Sequence, residues 1–122
     1  MGYEEFISGV ADEAQIGFID ADIATEAFLE NLGHRLPAAK MRELADQLPA
    51  ELAEYLSQGQ FIDLKLATGG FFEQVGRAED REMSMATDHA RAVWHVLAQA
   101  ISEHELEQVA SRLPGDVTAQ LI

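Results

Sequence analysis

The chain of 122 residues contains no cysteine, which excludes disulfide bonds, cysteine-based zinc or iron–sulfur sites and a cysteine nucleophile. Basic residues are scarce too, because 8 lysines and arginines stand against 22 acidic residues and leave a net charge of −14. Such a surface repels phosphate groups, so we expect neither nucleic acid nor anionic lipid as a partner. A basic protein or divalent cations would be attracted instead.

Long apolar runs are also missing. No stretch approaches the roughly 18 apolar residues that a membrane span needs, and the opening segment MGYEEFISGV has no basic start. We therefore expect no membrane segment and a cytoplasmic location. A hydrophobic content of 48% is enough for one core, so we predict a single compact domain over residues 1–122.

An internal duplication is the most informative feature that the chain does contain. Phe6 matches Phe71 and Pro49 matches Pro114 at one common offset (71 − 6 = 65). The other matched positions are apolar or small, and they include Val10/Val75, Ala21/Ala86, Ala27/Ala92, Leu32/Leu97, Ala45/Ala110, Leu48/Leu113 and Leu56/Leu121. No residue type that is typical of catalysis is matched between the two halves, so the duplicated feature is the pattern of core packing. We predict two tandem pseudo-repeats, residues 1–58 and 71–122, that share one core.

Apolar spacing predicts three to four helices in each half, and hence an all-α fold. The first helix covers Tyr3 to Ala14. The second runs from an N-cap at Asp20 to Leu36, with Ile23 in its buried stripe. Prolines at 37 and 49 suit the starts of the third and fourth helices.

The second half repeats this order from Phe71. Its long helix carries a stripe that begins at Met83 and includes Trp94, which we expect to lie in the core. Ser102 and Glu105 form a capping-box pattern ahead of the next helix. Pro114 starts the last turn.

The join between the halves, residues 59–70, has a different pattern. Ile62, Leu64 and Leu66 alternate with polar residues, which is the period of an extended segment. We interpret it as a strap across the seam, and the alternative is a strand edge that captures a partner peptide. The sequence leaves open whether this segment is extended or helical.

Several phrases together resemble a known family. They are YEEF at 3–6, QLP at 47–49, ARAV at 90–93 and SEHELE at 102–107. In order and spacing they are similar to the bacterial domain-of-unknown-function family 2267, over essentially the whole chain. The chain differs from the family pattern at the join, which is longer here. The resemblance implies an all-helical bacterial cytoplasmic protein, and it implies no activity and no functional residues.

A divalent-cation site is the sharpest chemical alternative. Asp20 and Asp22 open like an EF-hand loop, which then fails because Thr25 stands where glycine is needed and Asn31 where a bidentate glutamate belongs. A second acidic run precedes the matching helix of the other half. Two acidic helix entrances that met in space could hold a calcium ion, with the ligand set Asp20, Asp22, Glu79, Asp80 and Glu82.

Catalytic patterns are absent: the chain has no HExxH, no G-x-S-x-G, no P-loop and no dinucleotide fingerprint. Protein binding remains. Met85 lies off the apolar stripe, and an exposed methionine beside an acidic rim would suit a basic amphipathic helix. We therefore predict a non-catalytic interaction or scaffold domain, without a cofactor, that binds a protein partner or itself. The alternatives are a calcium-binding protein and an enzyme whose site has no sequence signature.

Overall fold

The computed structural model describes residues 1–59 and 70–122, which form helices joined by short turns and contain no strand. The first half holds α1 (Tyr3–Ala14), α2 (Phe18–Arg35), α3 (Ala38–Ala45) and α4 (Ala50–Gln58). The second half holds α5 (Phe71–Glu79), α6 (Met83–Ala100), α7 (Glu103–Ala110) and α8 (Gly115–Leu121). The predicted all-α fold is confirmed. The predicted strap falls outside the described residues, except for its ends Gly59 and Gly70.

Helix ends follow local sequence signals closely. Glu4 and Glu5 lie in the first turn of α1, where the helix dipole stabilises negative charge. Pro37, Pro49 and Pro114 are the residues immediately before α3, α4 and α8. Asp20 is not an N-cap as predicted, because α2 begins at Phe18, two residues earlier.

The bounds of the helices keep the offset of 65 residues. Helix α6 begins at residue 83 and ends at 100, where α2 begins at 18 and ends at 35, and α7 stands in the same relation to α3. Gln15 and Asp80, the two non-glycine residues with a left-handed backbone in the described part of the chain, are also 65 positions apart and end α1 and α5. Whether the halves superpose as repeats stays a prediction.

The core joins the helices of both halves. Helix α2 packs on α6, α1 packs on both of them, and α5 also packs on both; α4 covers α2, and α8 covers α6. An aromatic cluster lies at the centre, where the Phe28 ring meets Phe71 edge to face at 5.5 Å and lies 6.5 Å from Trp94. Trp94 is 4% exposed, which confirms its predicted place in the core.

Two predicted core residues lie at the surface instead. Ile23 is 40% exposed and Met83 is 55% exposed, although both continue the apolar stripes of their helices. Each lies in the first two turns of a long helix, on a side that the described fold leaves exposed. Sequence periodicity alone does not show where a neighbour ends, so these two predictions were wrong.

Candidate functional site

The carboxylates predicted for a cation site divide between different neighbours. Asp20 turns toward the α5–α6 turn, where its Oδ1 lies 3.7 Å from Nη2 of Arg81. Asp22 accepts a hydrogen bond of 2.8 Å from the Tyr55 hydroxyl on α4. These two side chains therefore do not face a common point.

The second acidic run has three different environments. Glu79 is buried, Asp80 ends α5 in the left-handed conformation, and Glu82 is the residue before α6. The acidic entrances do approach each other, but the Arg81 guanidinium occupies the approach beside Asp20. Among residues 1–59 and 70–122, no group of three or more His, Asp or Glu side chains could hold a metal ion. Calcium binding stays a prediction.

A buried acid–base pair links α5 to α6. Glu79 and His89 are 5% and 6% exposed, and the Glu79 Oε1 pairs with His89 Nδ1. Burial raises the pKa of the Glu79 carboxyl, and nearby Asp20 adds to this, while His89 and Arg81 act in the opposite direction. The Glu79 Oε2 is buried and has no hydrogen-bond partner in the described part of the chain. Such a pair could exchange a proton, but the surrounding helices close it off from solvent.

Sequence reasoning considered Glu79 only as a cation ligand and missed its pairing with His89. A signal was available in the duplication. At the offset of 65, the equivalents of Glu79 and His89 are Ala14 and Ala24, and Ala24 is fully buried. A polar residue that replaces alanine at a duplicated core position needs a buried partner, and two such replacements supply one another.

An open pocket of about 520 Å³ lies beside this pair, at the α5–α6 turn. Its lining residues are Glu73, Gly76, Arg77, Asp80, Arg81, Glu82 and Met83. The charges of both signs are already in contact with one another, since Arg77 lies 3.8 Å from Glu73 and Arg81 lies near Asp20. Neither Glu79 nor His89 lines the pocket, so the pocket gives no access to the buried pair.

The outward faces of α2 and α6 differ sharply, although both helices bury a largely apolar inward face. On α2, the outward positions are Ile19, Ile23, Glu26 and Glu30. At the offset of 65, α6 carries Ser84, Asp88, Arg91 and His95. The apolar and acidic face of α2 is therefore replaced by a polar face with cationic side chains on α6.

Contacts within the chain occupy the outward face of α6. Arg91 lies 3.3 Å from Asp88 and donates through Nε to the carbonyl oxygen of Gln120 at 2.8 Å. His95 pairs with Glu13 at the end of α1. These side chains line a shallow cleft of about 320 Å³ between α1 and α6. The face is polar, and its charges are largely matched.

The outward face of α2 lacks such matching. Ile19 is 75% exposed and Phe18 beside it is 43% exposed. Burial, together with the charge of Glu26 and a hydrogen bond to it, raises the pKa of Glu30 to about 7. Within the described ranges, no basic side chain forms an ion pair with Glu26 or Glu30. This face combines exposed apolar surface with two carboxyl groups that the described basic residues do not pair.

Comparison with known families identifies the class of protein. The family model described as "Uncharacterized conserved protein (DUF2267)" matches residues 3–119. The chain belongs to this family, as the sequence resemblance predicted. A search of curated proteins gave no match. None of the helices in the described residues is both long and apolar enough to cross a membrane.

Proposed function

We propose that the protein is a non-catalytic helical interaction domain that binds a basic protein partner. The observation that supports this best is a set of large apolar side chains in the first two turns of α2. Phe18, Ile19 and Ile23 are each at least 40% exposed. The chain that carries them has a net charge of −14. Apolar surface rimmed by charge of one sign favours a partner with apolar residues and the opposite charge.

The chemistry of the described residues fits a non-catalytic role better than an enzyme. The strongest acid–base pair, Glu79 with His89, is enclosed by packed helices. A general acid or base must come within hydrogen-bond reach of its substrate, and this pair does so only if α5 separates from α6. His95, which is half-buried, pairs with Glu13.

Self-association is the weaker form of the same role. Two copies would bring together chains that each carry a net charge of −14, and like charges oppose association. A basic partner removes this cost and gains from long-range attraction.

The calcium alternative has less support. Asp20 lies near Glu79 and Arg81, so one part of the predicted meeting of acidic entrances does occur. The Arg81 guanidinium lies beside the Asp20 carboxylate, in the position that a calcium ion would need. The proposed location is the bacterial cytoplasm, and this proposal rests on the family resemblance.

A binding assay with a synthetic partner tests the role. The probe is a fluorescein-labelled helical peptide of leucine and lysine, with leucines at i, i+3, i+4 and i+7. The control is a scrambled peptide of the same composition. Anisotropy is measured at physiological ionic strength, which screens weak long-range attraction. We expect saturable binding of the amphipathic peptide that clearly exceeds binding of the scrambled one. Equal binding of the two peptides would contradict the proposed function.

A further inference from the structure

We infer that the outward face of α2, formed by Ile19, Ile23, Glu26 and Glu30, is the surface on which a basic amphipathic helix docks. This inference rests on the proposed function and names its site. The four residues follow one another at three- and four-residue spacing, so they form one continuous stripe along the helix. The apolar half of the stripe lies near the start of α2, and the acidic half follows it.

The duplication serves as an internal reference for this face. Core positions agree between the halves, as at Ala21 and Ala86 or Leu32 and Leu97, all of which are buried. If the outward face served only solubility, α2 could carry the polar residues that α6 has there. Instead α2 carries two isoleucines, one of them 75% exposed, and packing among residues 1–59 and 70–122 does not explain them.

The acidic half of the stripe indicates the charge of the partner. Glu26 and Glu30 lie one turn of the helix apart, so their carboxyl groups repel one another when both are ionised. On α6, the equivalent positions are Arg91 and His95, which have contacts with Asp88 and Glu13. A lysine or arginine from a partner would supply for Glu26 and Glu30 the opposite charge that the described residues do not. Burial and the charge of Glu26 raise the pKa of Glu30, and a positive charge from a partner would lower it again.

The occupant is a basic helix and not a second copy of the chain. A second copy would place the same carboxyl groups opposite these two, or at best the mixed charges of α6, whose Arg91 and His95 already have partners. A helix with leucine-like residues on one side and lysines beside them would cover Ile19 and Ile23 and pair with Glu26 and Glu30.

Importing the α6 residues into α2 gives a sharp test. The variant Ile19→Ser/Ile23→Asp places on α2 the side chains that α6 carries at the equivalent positions. It adds one negative charge, so purely electrostatic capture of the leucine–lysine peptide would become stronger. Docking on the apolar stripe predicts the opposite sign, a loss of about tenfold or more in affinity, as expected when a central contact of an interface is removed.

A matched control comes from the other exposed apolar pair. Met83→Ser/Met85→Asp removes two exposed apolar side chains from α6 and adds the same charge. We expect this variant to bind the amphipathic peptide as well as the wild type does. Glu26→Gln/Glu30→Gln should weaken binding and flatten its dependence on salt. All substituted side chains are partly or largely exposed, and circular dichroism melting verifies that each variant is folded.

The outcomes separate this inference from the proposed function. Loss in the α2 variant with retention in the α6 variant supports docking on α2. Retention in both, loss only in the α6 variant, or equal loss in both overturns the assignment to α2, while preferential binding by the wild type still supports an interaction domain. If the wild type binds the amphipathic peptide no better than the scrambled one, both proposals fail.

Discussion

Replacing Gly33 by alanine should destabilise the protein strongly, because Gly33 lies where α2 packs against the backbone of α4. A Cβ atom at this position would overlap the carbonyl oxygen of Leu56 and come within 3.0 Å of its carbonyl carbon. Leu56 is fully buried, and its backbone cannot turn away as a flexible side chain could. A second close approach follows at Gly59, whose Cβ would lie 2.6 Å from the His34 nitrogen. The two helices would therefore have to separate.

Two opposing effects set the magnitude. Forcing an extra carbon into a packed interface costs about 3 kcal/mol, near the upper end of the usual range because the obstacle is backbone. Alanine recovers about 1 kcal/mol, since glycine is a poor helix former. The net loss is about 2 kcal/mol, which lowers the melting temperature of a domain of this size by about 10 °C.

The chain provides a matched control in Gly9, which also lies inside a helix. A Cβ there would meet only side-chain atoms, the nearest being Val96 Cγ2 at 3.3 Å. Gly9→Ala should therefore change the free energy of unfolding by less than about 1 kcal/mol, with a gain from helix propensity. Thermal and urea unfolding of both variants measure the difference. If Gly33→Ala melted as high as Gly9→Ala, the close approach of α2 to α4 would be refuted.

Three further changes test the site. His89→Ala leaves the Glu79 carboxyl buried without its partner and should lower the free energy of unfolding by about 3 kcal/mol. The double variant Glu79→Ala/His89→Ala should be more stable than His89→Ala alone. The opposite order of stability in urea unfolding would contradict the pairing of Glu79 with His89. The pKa of Glu30 rises from 4.5 to about 7 in the folded chain, so the folded state holds more protons and stability should fall as pH rises through this interval. Glu30→Gln should remove that dependence and stabilise at pH 8 by on the order of 1 kcal/mol after solvent screening, and an unchanged pH profile would contradict it. Calcium, and magnesium at equal ionic strength, should raise the melting temperature by the same small amount through screening. A bound site at a hundred times its dissociation constant would add about 2.7 kcal/mol, so a rise with calcium alone, lost in Asp20→Asn/Asp22→Asn, would establish the metal alternative.

Most of the fold could be predicted from the sequence because local signals and core pattern agree. The bounds of α1 are as predicted, and the prolines before α3, α4 and α8 mark those starts. The capping box at α7 formed only in part. Ser102 Oγ accepts from the Glu105 nitrogen at 3.1 Å, but the Ser102 nitrogen donates to the side chain of Gln47 on the other half. A tertiary contact took the place of the local one.

The candidate site was less predictable, because it depends on how helices are rotated against one another. The pairing of Glu79 with His89 crosses a turn and needs both side chains on facing sides of α5 and α6. Ile23 is 40% exposed, although it continues the apolar stripe of α2. Neither fact is contained in the apolar period of a single helix. The comparison of the two halves carries more information on both points.

The positions at which the halves differ are therefore more informative about function than those at which they agree. Agreement at buried positions follows from a shared core, since each such residue is fixed by its packing neighbours. An outward position has no such neighbour, and solubility alone favours a polar residue there, as Ser84 and Asp88 illustrate on α6. Two isoleucines at the equivalent positions of α2 expose apolar surface that the eight described helices do not bury. A surface with that cost, and with no benefit to the packing of these helices, is explained most simply by contact with another molecule.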